Sequence, residues 1–302
     1  MKRRTAEKPR IKLLRAPNLT RPRWLRHAFT TRGPGHFNLN YSVADSRATV
    51  VKNRRALLRG LQGRARAWQL VTLRQRHTDI VRVLATAGAD GLGRPACERD
   101  GALKFAGDAL LTDRPGLLLA VQVADCLPIL LADPERRVVA AVHAGWRGTL
   151  AGIVAKTVGR MRQEFGCTPK KMLAAFGPGI HRCCYEVGRE VVEKFEGKFP
   201  YAERIIRRLQ PSPSQVHWQQ PLLDLAPGEP RPRPAVTSPY DEKFYLDLVE
   251  ANRRQLVAAG LRAKNIWVSP DCTACRTDRF FSHRAEQGRT GRMMGVVGIA
   301  PR

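Results

Sequence analysis

GLLLAVQVADCLPILLADPERRVVAAVHAGWRG, residues 116–148, contains three apolar runs that predict buried strands. Only Gln122 interrupts these runs, and Asp133-Pro134 marks a turn between the second and the third. Continuous apolar runs of this length are typical of strands that are covered on both faces. The predicted strands are Leu117–Val123, Ile129–Ala132 and Val138–Val142. Cys126 and His143 therefore lie where predicted strands give way to turns.

The residues that follow His143 predict a junction between a strand and a helix. Gly145 and Gly148 bracket Trp146 and Arg147, and glycine permits a sharp turn and the close approach of a ligand to the backbone. Apolar residues then recur near helical spacing, at positions 150, 153, 154 and 158. The first amide groups of such a helix are suited to holding an anion.

Two interpretations of Cys126 and His143 are open at this point. An isolated cysteine is most often a small buried apolar residue, and an isolated histidine is most often a satisfied core residue. The polar Asp125 beside Cys126, and the Trp146-Arg147 pair after His143, favour a functional pair instead.

Further motifs extend this pattern in a fixed order from about residue 27 to the C-terminus. They are ADC (124–126), HAGWRGT (143–149), FGPGI (176–180), CCYEVG (183–188), FFSHR (280–284) and TGRM (290–293), with weaker matches at FTTR (29–32), NLN (38–40), QRH (75–77) and DLVEAN (247–252). On these motifs the chain resembles the YfiH family of laccase-domain proteins, which is also known under the names polyphenol oxidase, peptidoglycan editing factor and purine nucleoside phosphorylase.

The resemblance implies a metal site. In that family a metal, usually zinc, is held by the histidine of Q-x-H, the cysteine of ADC and the histidine of HAGWRG, which here are His77, Cys126 and His143. Two imidazoles and one thiolate are the ligands expected of a catalytic zinc that keeps its fourth position open. His77 lies between apolar runs at 70–73 and 80–84, which predicts a place in a strand or at a strand end.

Copper is the less favoured metal, although one of the family names suggests it. Multicopper chemistry needs many imidazole ligands held in close pairs, and the chain has seven histidines with none in an H-x-H arrangement. A single mixed histidine and cysteine site suits zinc better.

Length and composition permit one large domain or two, since the chain has 302 residues of which 43% are apolar. The resemblance implies a single α/β domain with layered, mixed β-sheets flanked by helices. We predict a basic, partly disordered N-terminal segment at 1–26 and a catalytic domain at 27–302. Eight prolines predict an irregular insertion at about 210–239, and residues 247–260 predict a helix that ends at Gly260.

The net charge of +27 favours anionic partners. Ten of the first 26 residues are Lys or Arg, against one acid, Glu7. Such a field attracts phosphate, nucleotides or nucleic acid bound without sequence preference, although solvated surface charge is the alternative explanation. No apolar stretch resembles a signal peptide or approaches the length of a membrane span, which predicts a cytoplasmic protein without membrane contact. We expect a monomer.

The seven cysteines are an odd number, which favours a reducing compartment over a disulfide framework. Cys272 and Cys275 form a C-x-x-C that could be half of a structural zinc site or a redox pair, but no second C-x-x-C completes it. Adjacent Cys183 and Cys184 are expected to point to opposite faces of an extended strand, and so not to share a ligand.

The resemblance implies zinc-dependent phosphorolysis of adenosine, inosine or methylthioadenosine, with adenosine deamination at the same pocket. Glycosidic cleavage builds positive charge on the ribose and negative charge on the base, so arginines should hold phosphate and a proton or metal should neutralise the base. Arg147 is the first phosphate candidate, and with Cys126 and His143 it completes the predicted catalytic set. The predicted substrate-binding residues are Arg32, Asn38, Arg284 and Arg292.

Two other classes of function stay open. A metal-free hydrolase would use His143 to activate Cys126 for amidase or deamidase chemistry, but such a dyad does not require His77. An RNA-associated binding protein is supported by the net charge alone, and no RNA-recognition or helix-turn-helix signature accompanies that charge. A copper polyphenol oxidase is the least favoured interpretation.

Overall fold

The computed structural model describes residues 11–33, 36–41, 45–61, 68–85, 96–98, 100–209 and 242–301. Within these ranges the helices are α1 (Arg47–Gly60), α2 (Trp146–Ala151), α3 (Ile153–Phe165), α4 (Arg189–Glu196), α5 (Ala202–Ile205) and α6 (Leu248–Ala258). The strands are β1 (Leu13–Leu14), β2 (Leu25–Thr30), β3 (Gln69–Arg74), β4 (Val81–Leu84), β5 (Ala96–Cys97), β6 (Leu103–Ala106), β7 (Ala109–Thr112), β8 (Leu117–Val123), β9 (Leu127–Asp133), β10 (Val138–Ala144), β11 (Leu173–Phe176), β12 (Glu186–Val187), β13 (Ile206–Leu209), β14 (Lys243–Leu246), β15 (Ile266–Val268) and β16 (Met293–Ile299).

Two large mixed sheets form the centre of the described part of the chain. The seven-stranded sheet has the order β1-β2-β16-β8-β3-β6-β5, and the six-stranded sheet has the order β15-β11-β9-β10-β7-β4. In the first, β8 is parallel to β3 but antiparallel to β16. A smaller sheet, β12-β14-β13, lies after the large ones in the chain.

The alternation of side chains along β8 shows how the layers pack. Leu119 shares a buried cluster with Ala141 of β10, so the two large sheets meet face to face. Leu118 points the other way and packs in a cluster with Leu57 of α1. Val142 of β10 lies in a third cluster with apolar residues of α3 and α6. The order of layers is helix, sheet, sheet, helices, which confirms the predicted layered α/β fold.

The stretch 116–148 crosses from one sheet to the other. β8 belongs to the seven-stranded sheet, while β9 and β10 form an antiparallel hairpin in the six-stranded sheet. All residues of the three strands are buried, as their continuous apolar runs predict. β9 begins at Leu127, two residues earlier than predicted, and Cys126 therefore occupies the crossing between the sheets.

The helices follow the predicted signals with one interruption. α6 begins directly after Asp247, whose side chain accepts a hydrogen bond from the Glu250 N–H, and Gly260 follows its end with a φ of +101°. The helix after HAGWRGT is divided, because Gly152 adopts a left-handed conformation and separates α2 from α3.

Residues 11–26 are part of the packed structure. Leu13 and Leu14 pair with β2, and Ala16 and Leu19 are fully buried. The first ten residues and the predicted insertion at 210–239 lie outside the described residues. None of the helices in the described ranges has the length and hydropathy needed to cross a membrane.

Candidate active site

Three predicted metal ligands converge at one end of the two sheets. The ligand atoms of His77, Cys126 and His143 all lie within 4.8 Å of one another, and His77 Nε2 is 3.8 Å from Cys126 Sγ. The β9–β10 register explains part of this convergence, since His143 pairs with Pro128, two residues beyond Cys126. His77 lies in the loop between β3 and β4 with a φ of +59°, rather than in a strand.

Asp108, which sequence reasoning missed, holds two of these ligands in place. The Asp108 carboxylate accepts backbone N–H groups from Arg76, His77 and Thr78 and the hydroxyl of Thr78. It also contacts Nδ1 of His143 at 2.9 Å. Burial raises the pKa of this carboxyl, but the contacts with His143 and Thr78 more than offset it and hold the pKa below its ordinary value. Asp108 is therefore an ionised buried anchor.

The contact with Asp108 orients the His143 ring for ligation. A carboxylate accepts only, so Nδ1 of His143 carries the proton and donates it to Asp108. In the neutral imidazole, which is the form that binds a metal, Nε2 then carries the lone pair on the Cys126 side. A histidine ligand whose other nitrogen donates to a carboxylate is a common arrangement at protein metal sites.

Asp125 fixes the turn that presents Cys126. Its φ of +89° is unusual for a residue other than glycine, and its surroundings determine that conformation. Asp125 Oδ1 accepts the hydroxyl of Thr273 at 2.7 Å, Oδ2 accepts the backbone N–H of Arg284 at 2.7 Å, and the Asp125 carbonyl accepts from Ile180. Backbone strain that is held by surrounding contacts is typical of functional sites.

Gly145 leaves room for the ligands at the junction of β10 and α2. A Cβ at this position would lie 2.9 Å from Cys126 Sγ and 3.0 Å from His77 Cδ2. Its φ of −83° is accessible to any residue, so the requirement for glycine comes from space and not from backbone conformation. The space and the donor set, two imidazoles and one thiol, both fit a bound metal ion.

His143 and Cys126 shift each other's pKa toward a thiolate beside an imidazolium when no metal is bound. Burial raises the pKa of the Cys126 thiol, but the facing His143 and His77 outweigh burial and bring it below its ordinary value. Burial lowers the pKa of His143, but Cys126 and Asp108 raise it above its ordinary value. The thiolate, which these neighbours favour, is the form of cysteine that binds metals.

A cavity of about 740 Å³ opens above the three ligands. Among the described residues, its lining contains six cationic side chains and one acidic side chain, Asp125. The cations are Arg74, Arg76, Lys104, Arg147, Arg284 and Arg292. A cavity of this size accommodates a small organic ligand, and its charge favours an anionic group.

Three of the arginines predicted to contact substrate line this cavity. Arg147 stacks on Trp146 with its guanidinium carbon 4.3 Å from the ring centre. Arg284 donates to the carbonyl of Glu186, and half-buried Arg292 donates to the carbonyl of Thr290. These side chains are held by uncharged partners, so their charges remain available to a ligand.

Arg32 and Asn38 lie outside the cavity lining. Arg32 forms an ion pair with Glu286 at 2.8 Å. Asn38 is fully buried, and its Oδ1 accepts the backbone N–H groups of Asn40 and Arg292, two residues that do line the cavity. Asn38 therefore supports the cavity wall, and the role of both residues toward substrate stays a prediction.

Tyr185 and Gln75 are further residues that sequence reasoning did not single out. Tyr185, within CCYEVG, lines the cavity, and burial raises the pKa of its phenol so that it stays neutral. The Gln75 side chain exchanges two hydrogen bonds of 2.8 Å with the backbone of Gln122. This pairing ties the His77 loop to the end of β8. The motif QRH contains the signal for Gln75, but only the structure shows its partner.

The structure also corrects the expectation for the cysteines. Cys183 and Cys184 lie in a turn and not in an extended strand, and both thiols face Cys275. Together with Cys272 they form a second group of potential metal ligands. Neighbouring residues point to opposite faces only in an extended strand, which is why the prediction failed here.

Comparisons with known proteins show which family the chain belongs to. The family described as "Multi-copper polyphenol oxidoreductase laccase" matches residues 26–229 and 228–300. Purine nucleoside phosphorylase YlmD of Geobacillus stearothermophilus is 35% identical over 275 residues, covering 90% of this chain and 87% of the relative. Its crystal structure superimposes with a TM-score of 0.72 over 97% of this chain and 100% of that one.

Two other relatives carry informative names. A purine nucleoside phosphorylase of Deinococcus radiodurans is 36% identical over 299 residues, covering 97% of this chain and 95% of the relative. Adenosine deaminase RL5, from an unknown prokaryotic organism, is 37% identical over 185 residues, covering 61% of this chain and 59% of the relative. Their names point to enzymes of purine metabolism.

Proposed function

We propose that this chain, which belongs to the YfiH family of laccase-domain proteins, is a zinc-dependent purine nucleoside phosphorylase acting on adenosine, inosine or methylthioadenosine. The observation that carries the proposal is the opening of the His77, Cys126 and His143 site into a cavity lined by six cations. The names of the relatives support the same activity.

The donor set favours zinc over copper. Among the described residues, one group of potential metal ligands contains histidines, and it offers two imidazoles and one sulfur. Zinc accepts this mixture in catalytic sites with three protein ligands, whereas multicopper oxidation needs several imidazole-rich centres. When bound, zinc would act as a Lewis acid that neutralises negative charge developing on the departing base.

The cationic side chains account for the phosphate. In phosphorolysis an oxygen of phosphate bonds to C1′ of the ribose while the bond from C1′ to N9 of the purine breaks, and the bonding electrons leave with the base. Arg147 would hold the attacking phosphate: it is exposed and lines the cavity, and a guanidinium can bind two oxygens at once. Arg284 and Arg292 add further positive charge to the cavity lining.

Tyr185 is suited to binding the nucleoside. The ring is half-buried, lines the cavity and lies beside Arg284, whose guanidinium carbon is 5.6 Å from its centre. A neutral phenol offers both an apolar face for a purine and an O–H donor. Asp108 and Asp125 would position the metal ligands, because Asp108 contacts His143 and the hydrogen bonds of Asp125 hold the turn that carries Cys126.

Adenosine deamination is a second candidate activity, favoured by the relative named adenosine deaminase. In that reaction water adds to C6 of the purine and ammonia leaves, so no phosphate is consumed. The two activities therefore place different demands on the arginines. Loss of an arginine that binds only phosphate should spare deamination.

A metal-free hydrolase, the alternative mechanism, would not use His77. A Cys126–His143 dyad needs a base and an orienting carboxylate, and His143 with Asp108 would provide both. It gives no role to His77, which nevertheless faces Cys126. His77 therefore favours the metal site.

The proposal is tested by incubating the zinc-loaded protein with adenosine, inosine and methylthioadenosine, with and without phosphate, and separating the products by chromatography. We expect free base and sugar 1-phosphate only when phosphate is present. Cys126→Ala and His77→Ala should abolish turnover, while Cys167→Ala, in the core outside the site, should retain it. Full activity in His77→Ala would overturn the metal mechanism in favour of the thiol hydrolase.

A further inference from the structure

Four cysteines outside the cavity converge from two separate segments. The Sγ atoms of Cys183, Cys184, Cys272 and Cys275 all lie within 4.8 Å of one another. Cys275 Sγ is 3.5 Å from Cys183 Sγ and 3.2 Å from Cys184 Sγ. We call these residues the four-cysteine cluster. Cys183 and Cys275 are exposed and Cys272 is buried, so the cluster lies at the surface with one ligand anchored inside.

Backbone contacts bring the two segments together independently of the thiols. Gly179 forms a bridge with Cys272, and the Thr273 N–H donates to the Gly179 carbonyl at 2.9 Å. A Cβ at Gly179 would lie 2.5 Å from a methyl carbon of Leu127 and 3.0 Å from the Asp125 carbonyl oxygen. The segment is therefore packed closely against the turn that carries Cys126. Contacts that do not involve the thiols hold the backbone of the four-cysteine cluster in place.

A backbone donor lies beside the buried sulfur. The His181 N–H lies 3.4 Å from Cys272 Sγ. Such a donor stabilises a thiolate, and metal ligands are commonly held by hydrogen bonds of this kind.

We propose that the four-cysteine cluster binds a second zinc ion with a structural role, separate from the metal at His77, Cys126 and His143. Zinc bound by four thiolates is tetrahedral with Zn–S distances of about 2.3 Å, which places the sulfurs about 3.8 Å apart. The two separations from Cys275, 3.5 Å and 3.2 Å, lie slightly below that value, and all six pairs lie within 4.8 Å. All four ligands come from protein, so this site is closed to substrate, as structural zinc sites are.

A disulfide is the competing use of these thiols. Each disulfide would join two of the four sulfurs at an S–S distance of about 2.0 Å, well below the 3.5 Å and 3.2 Å that separate Cys275 from Cys183 and Cys184. The arrangement in the structure instead places Cys275 close to both Cys183 and Cys184. One zinc ion satisfies all four sulfurs together.

The second zinc would stabilise the wall of the active-site cavity. Thr273, between the two C-x-x-C cysteines, donates its hydroxyl to Asp125, which adjoins Cys126. Tyr185, directly after Cys184, lines the cavity. An ion that joins residues 183–184 to residues 272–275 would therefore hold Thr273 and Tyr185 in position beside the cavity. We expect its loss to lower the thermal stability and to raise KM for the nucleoside more than it lowers kcat.

The test is zinc stoichiometry by elemental analysis of protein purified under reducing conditions. We expect two zinc ions per chain in the wild type, one in Cys275→Ser, one in His77→Ala and none in the double variant. Cys167→Ala, which removes a buried cysteine outside both groups, should retain two. Because His77→Ala reports only on the cavity site, failure of the second site is distinguishable from failure of the proposed function.

Cobalt substitution identifies the ligands. In the His77→Ala background the remaining Co²⁺ should show the intense sulfur-to-metal absorption of a four-thiolate site, and Cys275→Ser or Cys184→Ser should remove it while far-UV circular dichroism is retained. Zinc content that is unchanged in both serine variants would overturn the proposal. So would a disulfide between Cys275 and either Cys183 or Cys184 in peptide maps of protein whose free thiols are alkylated at lysis, before any reductant is added.

Discussion

Replacing Asp108 by Asn tests whether this carboxylate organises the metal site. Asp108 accepts hydrogen bonds from three backbone N–H groups, from the Thr78 hydroxyl and from His143. Both carboxylate oxygens of Asp108 accept hydrogen bonds, whereas the asparagine amide has only one acceptor oxygen. Its NH₂ group must therefore replace one of the two oxygens and face hydrogen-bond donors there. If it faces His143, the imidazole proton moves to Nε2 and occupies the position needed for the metal. If it faces Thr78, the His77 loop loses its anchor.

Either arrangement weakens the site by an amount that can be bounded. Loss of a partner behind a metal ligand typically lowers metal affinity by about 10–100-fold, which corresponds to about 1.4–2.7 kcal/mol. A hydrogen bond to a charged group contributes about 1.5–3 kcal/mol to stability, so the unfolding free energy of the metal-free protein should fall by a similar amount. Zinc affinity is measured by competition with a chromophoric chelator, and stability by urea denaturation.

Thr78→Val is the matched control. It removes the hydroxyl that donates to Asp108 Oδ2 and leaves the contact between Asp108 and His143 intact. We expect it to lower stability but to keep zinc affinity close to that of the wild type. A folded Asp108→Asn protein with wild-type zinc affinity would refute the assignment of Asp108 as the anchor of the site.

Three further predictions concern the ligand space, the phosphate and a buried histidine. Gly145→Ala should lose the cavity zinc in elemental analysis with the fold retained, because its Cβ would lie 2.9 Å from Cys126 Sγ. Gly159→Ala is the control and should keep the zinc, because its Cβ would meet nothing within 4 Å. Equal zinc contents in the two variants would contradict the claim that Gly145 leaves room for the metal. Arg147→Lys should raise the phosphate concentration needed for phosphorolysis and spare deamination, since lysine keeps the charge but loses the two-pronged contact; equal losses in both rates would move the phosphate role to another arginine. Burial lowers the pKa of His27 from 6.5 to about 4, so the unfolded chain takes up a proton first as the pH falls, and stability should drop by up to about 3 kcal/mol between pH 6.5 and 4. His27→Gln should flatten that part of the urea-denaturation profile, and an unchanged profile would contradict this origin.

The sequence predicted the centre of the fold because its pattern is local. Three apolar runs and one Asp-Pro turn were sufficient to place β8, β9 and β10, and the residues at their ends became Cys126 and His143 of the site. The sequence could not predict that the chain passes from one sheet to the other at Cys126. The apolar sequence of a strand that is covered on both faces is the same in either sheet.

The residues that organise the site were hidden because their roles depend on distant contacts. Nothing in GDALLT distinguishes Asp108 from a surface aspartate until it meets His143, 35 residues away. Asn38, by contrast, has a clear signal because it lies within a family motif. In the structure it is buried and holds the backbone of Arg292 in place. Adjacent Cys183 and Cys184 were misjudged because a turn, unlike a strand, lets neighbouring side chains face one point.

Several sequence-based expectations stay predictions. A cytoplasmic location, a monomeric state and nucleic-acid binding through the basic N-terminus depend on features outside the cavity, and the first ten residues lie outside the described part of the chain. Retention of nucleic acid with a steep salt dependence would be the sign of the last of these.

The most direct test of the central claim is phosphorus NMR of the protein with inosine and inorganic phosphate, recorded first after zinc removal and again after zinc is restored. The account predicts no reaction in the zinc-free protein, followed by loss of the phosphate signal and growth of a sugar 1-phosphate signal in equal amount to the released base. Release of base without a sugar phosphate, or turnover that does not depend on zinc, would contradict it.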